Sequence, residues 1–433
     1  MRFPHALSRS TLLCLLAAAG TLAQASESAS VTSEIETRYR QGLYQRETGQ
    51  PFQAIDTLES LLNAHPTLNR ARLELAVAYY RTLNFDRALQ EAQRVLADPA
   101  TPEIVRLSVS SFVKQLELEQ RMADGQRSTV SYSLTAGLSH DDNVNAGPSS
   151  DLLGSTSLGT LTLNPAFRPR SDWSQFVQGG VTHQWQRATP FRLGQQAGRL
   201  GWQTSLNGYG KLHHRENEQD VAVLSAATGP TWMVSGQWRA NTSLQLDQIW
   251  LGGNDLGLYS SISPSITWNL GRETEFGLDA QFLKRDFRRS VDLGRDSDVR
   301  NVGVTLGRLL QGGRWALQGG LKAFDEQASD SRYSNAGQEG FAAVSWQAWP
   351  GGEVLARWDW RQSRFEGTEA VFGVSRREIE RRWELGFSHR FTGDHAFKGW
   401  SVNTTLAHVD NTANLALYQF QRNLLLVSFG RSF

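Results

Sequence analysis

The spacing of apolar residues changes from a helical period to a period of two near residue 127. Residues 31–125 carry apolar side chains at helical spacing, which predicts a segment of α-helices. From Thr129 onward, apolar residues alternate with polar or small ones, beginning with Val130, Tyr132, Leu134, Ala136 and Leu138. This alternation predicts strands with one apolar face. The pattern therefore predicts an all-α N-terminal part followed by an all-β part.

The alternation returns in six further segments, which begin at Trp238, Thr274, Trp315, Val354, Trp383 and Trp400. Glycine-containing turns at 234–237, 271–273, 311–314, 350–353 and 392–394 separate longer polar segments near 146–172, 251–257, 288–297, 325–333, 363–376 and 409–418. Short turns on one side and long loops on the other are typical of an antiparallel transmembrane β-barrel. At about 10 residues a strand, roughly 14 strands fit the segment. Inward-pointing positions predict a charged lumen wall that includes Glu378, Glu380, Arg382 and Glu384.

The aromatic residues support a membrane location for the strands. All 14 tryptophans lie between Trp173 and Trp400, and several flank the short turns: Trp232, Trp238, Trp268, Trp315 and Trp349. Membrane barrels carry such aromatic girdles at both interfaces. The last strand alternates towards Phe433 and is expected to pair with the first strand, at 130–138. Bacterial outer-membrane barrels typically end in this way, so we predict that Val427, Phe429 and Phe433 form the signal read by the barrel assembly machinery.

The segment 1–25 has the features of a secretory signal peptide. A basic start containing Arg2 and Arg9 precedes an apolar run from 11 to 23, and Ala23-Gln24-Ala25 supplies a small-x-small cleavage site. The only cysteine, Cys14, lies in this segment, so disulfides and cysteine-based metal sites are excluded from the mature chain. We predict a signal peptide at 1–25, a periplasmic helical domain at 26–127 and an outer-membrane barrel at 128–433.

Charge and motifs exclude several function classes. The formal net charge is +1, with 12 basic against 14 acidic residues in 26–127 and 30 against 29 in 128–433, so neither part has the basic field expected for nucleic acid. Phosphate-binding loops, serine-hydrolase elbows and zinc-protease signatures are missing from the sequence. We therefore predict no enzyme, no cofactor and no metal.

Two polar segments have part of the pattern of a metal site. Asp141, Asn143 and Asn145 have the alternate spacing of a calcium loop, but its glycine and glutamate are replaced by Ala146 and Leu152. We interpret the two asparagines as partners for backbone groups where the strand meets the loop. His213 and His214 are adjacent on a strand and should point to opposite faces, which makes a poor chelate.

The helical segment contains an internal repeat, in which similar residues recur at one fixed distance along the sequence. The small residues Gly42 and Ala54 recur as Ala76 and Ala88. Three pairs of apolar residues have the same separation: Leu58 and Ala92, Leu61 and Val95, Leu62 and Leu96. This spacing and these small residues resemble tetratricopeptide repeats, in two copies with a third helix from about 103 to 122 as a cap. The resemblance implies a concave face that binds peptide or protein. Its predicted client-binding residues are Tyr39, Arg46, Arg70, Tyr80, Arg81 and Lys114; ordinary solvated or packing roles are the alternative.

The whole mature chain resembles the surface lipoprotein assembly modulator family. The resemblance comes from the helical domain, the barrel of about 14 strands, the segment 137–145 with its Asp-Asn-Val-Asn run, and the ending 428–433. It implies an outer-membrane translocator for a client protein, either a surface lipoprotein or a small secreted haem- or metal-acquisition protein. The helical domain would capture the client and the barrel would provide the passage.

Other functions fit the same architecture. A porin for polysaccharide export also joins such repeats to a barrel, although it usually has many more of them. A passive solute porin would need no helical domain, and a barrel hydrolase would need a serine, histidine and acid on neighbouring strands. The genes next to this one would discriminate between a client protein and a polysaccharide.

Overall fold

The computed structural model describes residues 33–125, 127–156, 159–234, 236–394 and 396–433. The chain forms two compact units: the helices together with 188–199, and residues 127–187 with 200–433. The predicted signal peptide, at 1–25, lies outside the described residues. The exact bounds of the three predicted segments therefore stay predictions.

The described part of the N-terminal unit contains five helices, as the helical spacing predicted. They are α1 (33–47), α2 (Pro51–Ala64), α3 (Asn69–Arg81), α4 (Phe85–Ala97) and α5 (Glu103–Gly125). Local sequence sets where some of them begin. Pro51 occupies the first turn of α2, where its missing N–H is not needed. The side chain of Asn84 caps α4 by accepting a hydrogen bond from the backbone of Arg87. None of the described helices is long and apolar enough to cross a membrane.

The small residues of the internal repeat lie where the helices pack most closely. Ala54, Ala76 and Ala88 are fully buried in one apolar core. A Cβ added at Gly42 would lie 2.7 Å from the side chain of Leu58, so α1 and α2 meet at a distance that only glycine allows. The predicted tetratricopeptide-like packing is therefore confirmed.

The other unit is a closed antiparallel barrel of fourteen strands, again among the described residues. In chain order the strands are β1 (Ser128–Asp141), β2 (Leu152–Thr156), β3 (Gly159–Thr162), β4 (Asp172–Gln186), β5 (Phe191–Leu193), β6 (Gln196–His213), β7 (Val221–Val234), β8 (Trp238–Leu251), β9 (Asn254–Asn269), β10 (Thr274–Phe287), β11 (Ser297–Leu310), β12 (Trp315–Ala328), β13 (Asn335–Trp349), β14 (Gly352–Glu369), β15 (Val374–Arg390), β16 (Trp400–Ala413) and β17 (Phe420–Ser432). Three of these strands do not belong to the barrel wall: β2 and β3, which form a short hairpin in the first loop, and the three-residue strand β5, which pairs with β6.

The barrel wall consists of β1, β4 and β6–β17, in that order. It closes where β1 pairs with β17, from Ser133 opposite Ser432 to Asp141 opposite Leu424. The backbone groups of Tyr132 and Phe433 add a reciprocal pair of hydrogen bonds of 3.0 and 2.8 Å. The predicted pairing of the last strand with the first is confirmed. Closure leaves no unpaired sheet edge in the described wall, as a strand structure in lipid requires.

Alternation along each strand separates an apolar outer surface from a polar inner one. In β1, Leu134 and Leu138 are exposed, whereas Ser139 and Asp141 are buried inside. Near the short turns the outward rings stack in cross-strand pairs: Trp315 on Trp346 at 5.4 Å, and Trp268 on Phe276 at 5.9 Å between centroids. The predicted aromatic belt beside these turns is therefore present.

Three of the predicted connection lengths are wrong. The segment predicted as a long loop at 251–257 is a tight turn at Gly252 and Gly253, and the predicted turn at 392–394 is part of a longer connection, 391–399. Much of the loop predicted at 363–376 is strand, because β14 and β15 continue pairing as far as Glu369 and Val374. The wall strands are 13 to 18 residues long. Strands of this length fit because the connections predicted at 251–257 and 363–376 are shorter than expected.

Candidate functional site

Four of the six predicted client-binding residues come together where α1 faces α3. The guanidinium of Arg70 lies 4.6 Å from the ring centre of Tyr39. Arg46 forms an ion pair with Glu74 at 2.7 Å, and Arg81 donates a 2.5 Å hydrogen bond to the carbonyl oxygen of Arg46. The repeat brings the first helices of successive pairs side by side, so these residues meet in two contacts, Tyr39 with Arg70 and Arg46 with Arg81.

The other two predicted residues lie towards α5. The Tyr80 hydroxyl donates a 2.9 Å hydrogen bond to Glu119, and its ring meets Phe112 edge-on at 5.9 Å. The hydrogen bond to Glu119, followed by burial, raises the pKa of Tyr80. Tyr80 thus helps to pack α5 against α3, whereas Lys114 projects from α5 and is exposed. Their part in client binding stays a prediction.

One apolar position on this face was missed from the sequence. Leu107 on α5 is 64% exposed. Leu107 occupies the position in α5 that Tyr39 occupies in α1 and Leu73 occupies in α3, because the three residues are separated by the same repeat distance. The repeat period applied to Tyr39 would have found it. An exposed leucine at this position suits a peptide that carries apolar side chains.

The predicted charged wall of the lumen is confirmed in position. Glu380, Arg382 and Glu384 line a cavity of about 560 Å³ inside the barrel, and Glu378 pairs with Arg376 at 3.3 Å. Further charged side chains of the same cavity come from strands β10 and β12–β14: Asp279, Lys322, Glu339, Arg357, Asp359 and Arg361.

Most of these lumen charges are paired across or along the strands. Arg361 lies 2.6 Å from Glu339, Arg357 lies 2.6 Å from Asp359, and Arg382 lies 3.0 Å from Glu384. Pairing lets charges line a partly desolvated wall without the cost of isolated ions. The result is a polar inner surface of mixed sign, suited to passage of polar groups.

The segment after β1 anchors the first loop to the barrel rim. Asn143 is 1% exposed, and its side chain donates to the carbonyl oxygens of Gly147 and Gln421 at 3.0 and 2.9 Å. Asn145 donates to the carbonyl oxygen of Arg168 and accepts from the backbone of Arg170. The interpretation of both asparagines as backbone partners is confirmed.

The acidic residues beside them bind the last strand. Asp141, 1% exposed, is paired with Arg422, and Asp142 accepts hydrogen bonds from the backbone and side chain of Asn423 at 2.7 Å. His213 lies 3.3 Å from Asp220, while the backbone of His214 donates to Trp173. No set of three histidine or acidic side chains in the described ranges is placed to hold a metal ion.

The three residues of the predicted assembly signal lie at the seam of the barrel. Val427 is 40% exposed on the outer surface, and the ring of Phe429 stacks on Trp400 at 4.6 Å with an interplanar angle of 5°. Phe433 meets Trp400 edge-on at 6.5 Å and lies under the guanidinium of Arg431 at 4.7 Å. Arg431 therefore covers an aromatic ring at the end of the strand. The role of these residues in assembly stays a prediction.

Comparison with known proteins supports the helical repeat. The family model for the tetratricopeptide repeat matches residues 36–67, which lie in α1, α2 and the turns that follow them. A search of curated proteins found no sequence match.

The solved structures to which the chain is similar include proteins of two bacteria. OccAB4 of Acinetobacter baumannii is 10% identical, with a TM-score of 0.34 over 71% of this chain and 99% of that one. OprD of Pseudomonas aeruginosa is 10% identical, with a TM-score of 0.36 over 71% and 95%, and OpdK with vanillate, from the same species, is 11% identical, with a TM-score of 0.34 over 70% and 99%. Similarity at this level does not extend to function. The chain combines a tetratricopeptide repeat with a closed fourteen-stranded β-barrel.

Proposed function

We propose that this chain is an outer-membrane translocator that delivers a client protein to the far side of the membrane. The observation that carries the proposal is the union, in one chain, of a peptide-sized helical face and a closed barrel with a charged interior. The resemblance to the surface lipoprotein assembly modulator family suggests the client: a surface lipoprotein or a small secreted haem- or metal-acquisition protein.

The barrel supports an outer-membrane location on physical grounds. Its outward side chains are apolar and its wall strands are paired on both sides, which suits lipid and not water. Because the number of wall strands is even, the first strand begins and the last strand ends at the same rim. We propose that this rim faces the periplasm, together with the helical domain.

The helical face is proposed to hold an extended stretch of the client before passage. Tyr39 and Leu107 offer apolar contacts, while Arg70 and Lys114 offer positive charge. The paired charges of the lumen wall would let polar and apolar segments pass without binding either tightly. Since the sequence has no nucleotide-binding motif, we propose that folding or binding of the client outside the cell drives the movement.

Surface exposure of the client tests the proposal. The chain is produced in cells together with a lipoprotein or secreted protein encoded beside it, and intact cells are treated with proteinase K. Cleavage of the client should require this chain. The double variant Arg70→Gln, Lys114→Gln should reduce the cleaved fraction severalfold, because it removes two exposed positive charges from the face.

Arg40→Gln is the matched control, because Arg40 lies on α1, is 74% exposed and pairs with Glu36 one turn away. The control should leave client exposure unchanged. Equal cleavage of the client with and without this chain would refute the proposal.

A passive solute porin is the second candidate, and the polar cavity in the lumen favours it. The full-length protein in a planar bilayer would then give a steady conductance without any client. Arg361→Gln would shift its ion selectivity towards cations, because Glu339 loses its partner. A client-dependent phenotype without steady conductance would favour translocation.

A further inference from the structure

A second groove on the helical unit lies between α2 and α4, with α3 as its floor. It encloses about 460 Å³ and is lined by polar groups of all three helices. None of the six predicted client-binding residues belongs to it. It is therefore a different surface from the one formed by α1, α3 and α5.

One end of the groove holds a buried carboxylate of α4 between two arginines. Glu91 is 8% exposed, and its two oxygens accept hydrogen bonds from Arg72 at 2.6 Å and Arg94 at 2.8 Å. Arg72 also donates to the carbonyl oxygen of Pro66 at 2.5 Å. Both oxygens of Glu91 are thus occupied, and its single negative charge is shared by two guanidinium groups.

At the other end of the groove the positive and negative charges are equal in number. Arg87 donates to Glu59 at 3.0 Å and to the Tyr79 hydroxyl at 2.8 Å, and the Tyr79 hydroxyl in turn donates to Glu59. Three arginines therefore face two glutamates, which leaves an excess of one positive charge. This excess lies at Arg94, because its partner Glu91 is shared with Arg72.

The mouth of the groove offers donors that the protein does not use. Arg87 and Arg94 are two turns apart on α4, so they project on one side about 10 Å from each other. Their side chains are 59% and 53% exposed, and each uses only one of its two terminal nitrogens within the described residues. Gln90 and Asn63 line the same opening and carry amide groups that both donate and accept.

We propose that this groove binds an acidic peptide segment, with a peptide carboxylate on Arg94. An arginine with spare N–H groups receives a carboxylate in a planar, two-point geometry. The side-chain amides of Gln90 and Asn63 match the alternating donors and acceptors of a peptide backbone. The groove would thus give the helical unit two peptide-binding surfaces of different chemistry.

Binding of a labelled peptide to the full-length protein in detergent tests this. The probe is a fluorescein-labelled hexapeptide with one glutamate, two leucines and a free carboxy terminus, and the readout is fluorescence anisotropy. Arg94→Gln should weaken binding by about tenfold or more, because a charged hydrogen-bonded contact is lost. Arg40→Gln, which removes the same charge from an exposed site on α1, should leave the affinity unchanged.

Three further arms keep the test decisive. Asn63→Asp leaves the arginine contacts intact, and its added charge should also weaken binding. Amidating the peptide's carboxy terminus, or replacing its glutamate by glutamine, shows which carboxylate Arg94 receives. Equal affinity in Arg94→Gln and wild-type protein, or no binding of the acidic peptide at millimolar concentration, would overturn the proposal.

Discussion

Replacing Asn143 by alanine should release the first loop from the barrel rim while leaving the barrel intact. Three hydrogen bonds of this side chain disappear in the variant: those to the carbonyl oxygens of Gly147 and Gln421, and the one accepted from the backbone N–H of Gly147 at 2.7 Å. The bonds between Asp142 and Asn423 remain, so the neighbouring strand pairing keeps its own anchor.

The size of the effect follows from the burial of the site. A hydrogen bond contributes about 1 kcal/mol net, and more when a buried partner is left without water. Three lost bonds at a residue that is 1% exposed should therefore lower the local stability by about 3 kcal/mol. Since about 1.4 kcal/mol is a factor of ten, the loop should open about 100 times more often.

Amide hydrogen exchange of the purified protein in detergent measures this opening directly. The amide of Gly147 should exchange about 100-fold faster in the variant, because it loses its own acceptor. Asn164→Ala is the matched control in the same loop. Its exposed side chain accepts one hydrogen bond, from Ala166 at 3.0 Å, so exchange at Gly147 should stay as in the wild type.

A wild-type exchange rate at Gly147 in Asn143→Ala would refute this reasoning. It would mean that other contacts hold the loop, such as the 2.8 Å hydrogen bond from the backbone of Ser149 to Gln419. Loss of the barrel itself, seen as loss of heat-modifiable migration, would mean that Asn143 supports the whole wall and not only the loop.

Three further changes test other parts of the chain. Gly42→Val should lower the free energy of unfolding of the helical unit by about 1–3 kcal/mol, measured by thermal denaturation, because the added side chain overlaps Leu58. The backbone N–H of Ala100 lowers the pKa of Asp98, so the stability that the ionised carboxylate adds is present at neutral pH and is lost as pH falls through that lowered pKa. Asp98→Asn should therefore be less stable than wild type at pH 7 and equally stable in strong acid. Phe433→Ala should reduce heat-modifiable, membrane-inserted protein in cells, because an aromatic ring is removed from the barrel seam.

Each of these changes has an outcome that would contradict it. Gln41→Val adds a valine on the exposed side of the same helix, where it costs helix propensity only; a loss in Gly42→Val no larger than that in Gln41→Val would contradict the packing argument. A stability difference for Asp98→Asn that does not vary with pH would exclude a role of its charge. Leu270→Ala, in an exposed turn, controls for Phe433→Ala; normal insertion of both variants would remove Phe433 from the assembly signal.

The sequence predicted the wall of the barrel in detail. Alternation fixed which side of each strand faces outward, from Leu134 in β1 to Val427 in β17, because side chains of a strand point to opposite faces whatever its partner is. The same reasoning placed Arg382 and Glu384 in the lumen before the register was known.

The lengths of the connections could not be predicted in the same way. A strand ends where its neighbours stop pairing, so β14 continues to Glu369 only because Val374 in β15 lies opposite. Polar residues that follow the alternating part of a strand cannot be distinguished by sequence from the residues of a loop. This is why the segments at 251–257 and 363–376 were expected to be longer loops.

For the candidate sites, the sequence determined which residues occupy equivalent positions in the repeated helices. The tertiary structure decided which of these side chains contact each other. The repeat step placed Arg46, Tyr80 and Lys114 at equivalent positions of successive helices. It gave no sign of the Glu91 carboxylate shared by Arg72 and Arg94, nor of the pair between Asp141 and Arg422, which are far apart in the chain. Periodicity is a local property that each helix or strand carries by itself. Convergence of charges depends on how separate elements pack, which no single segment encodes.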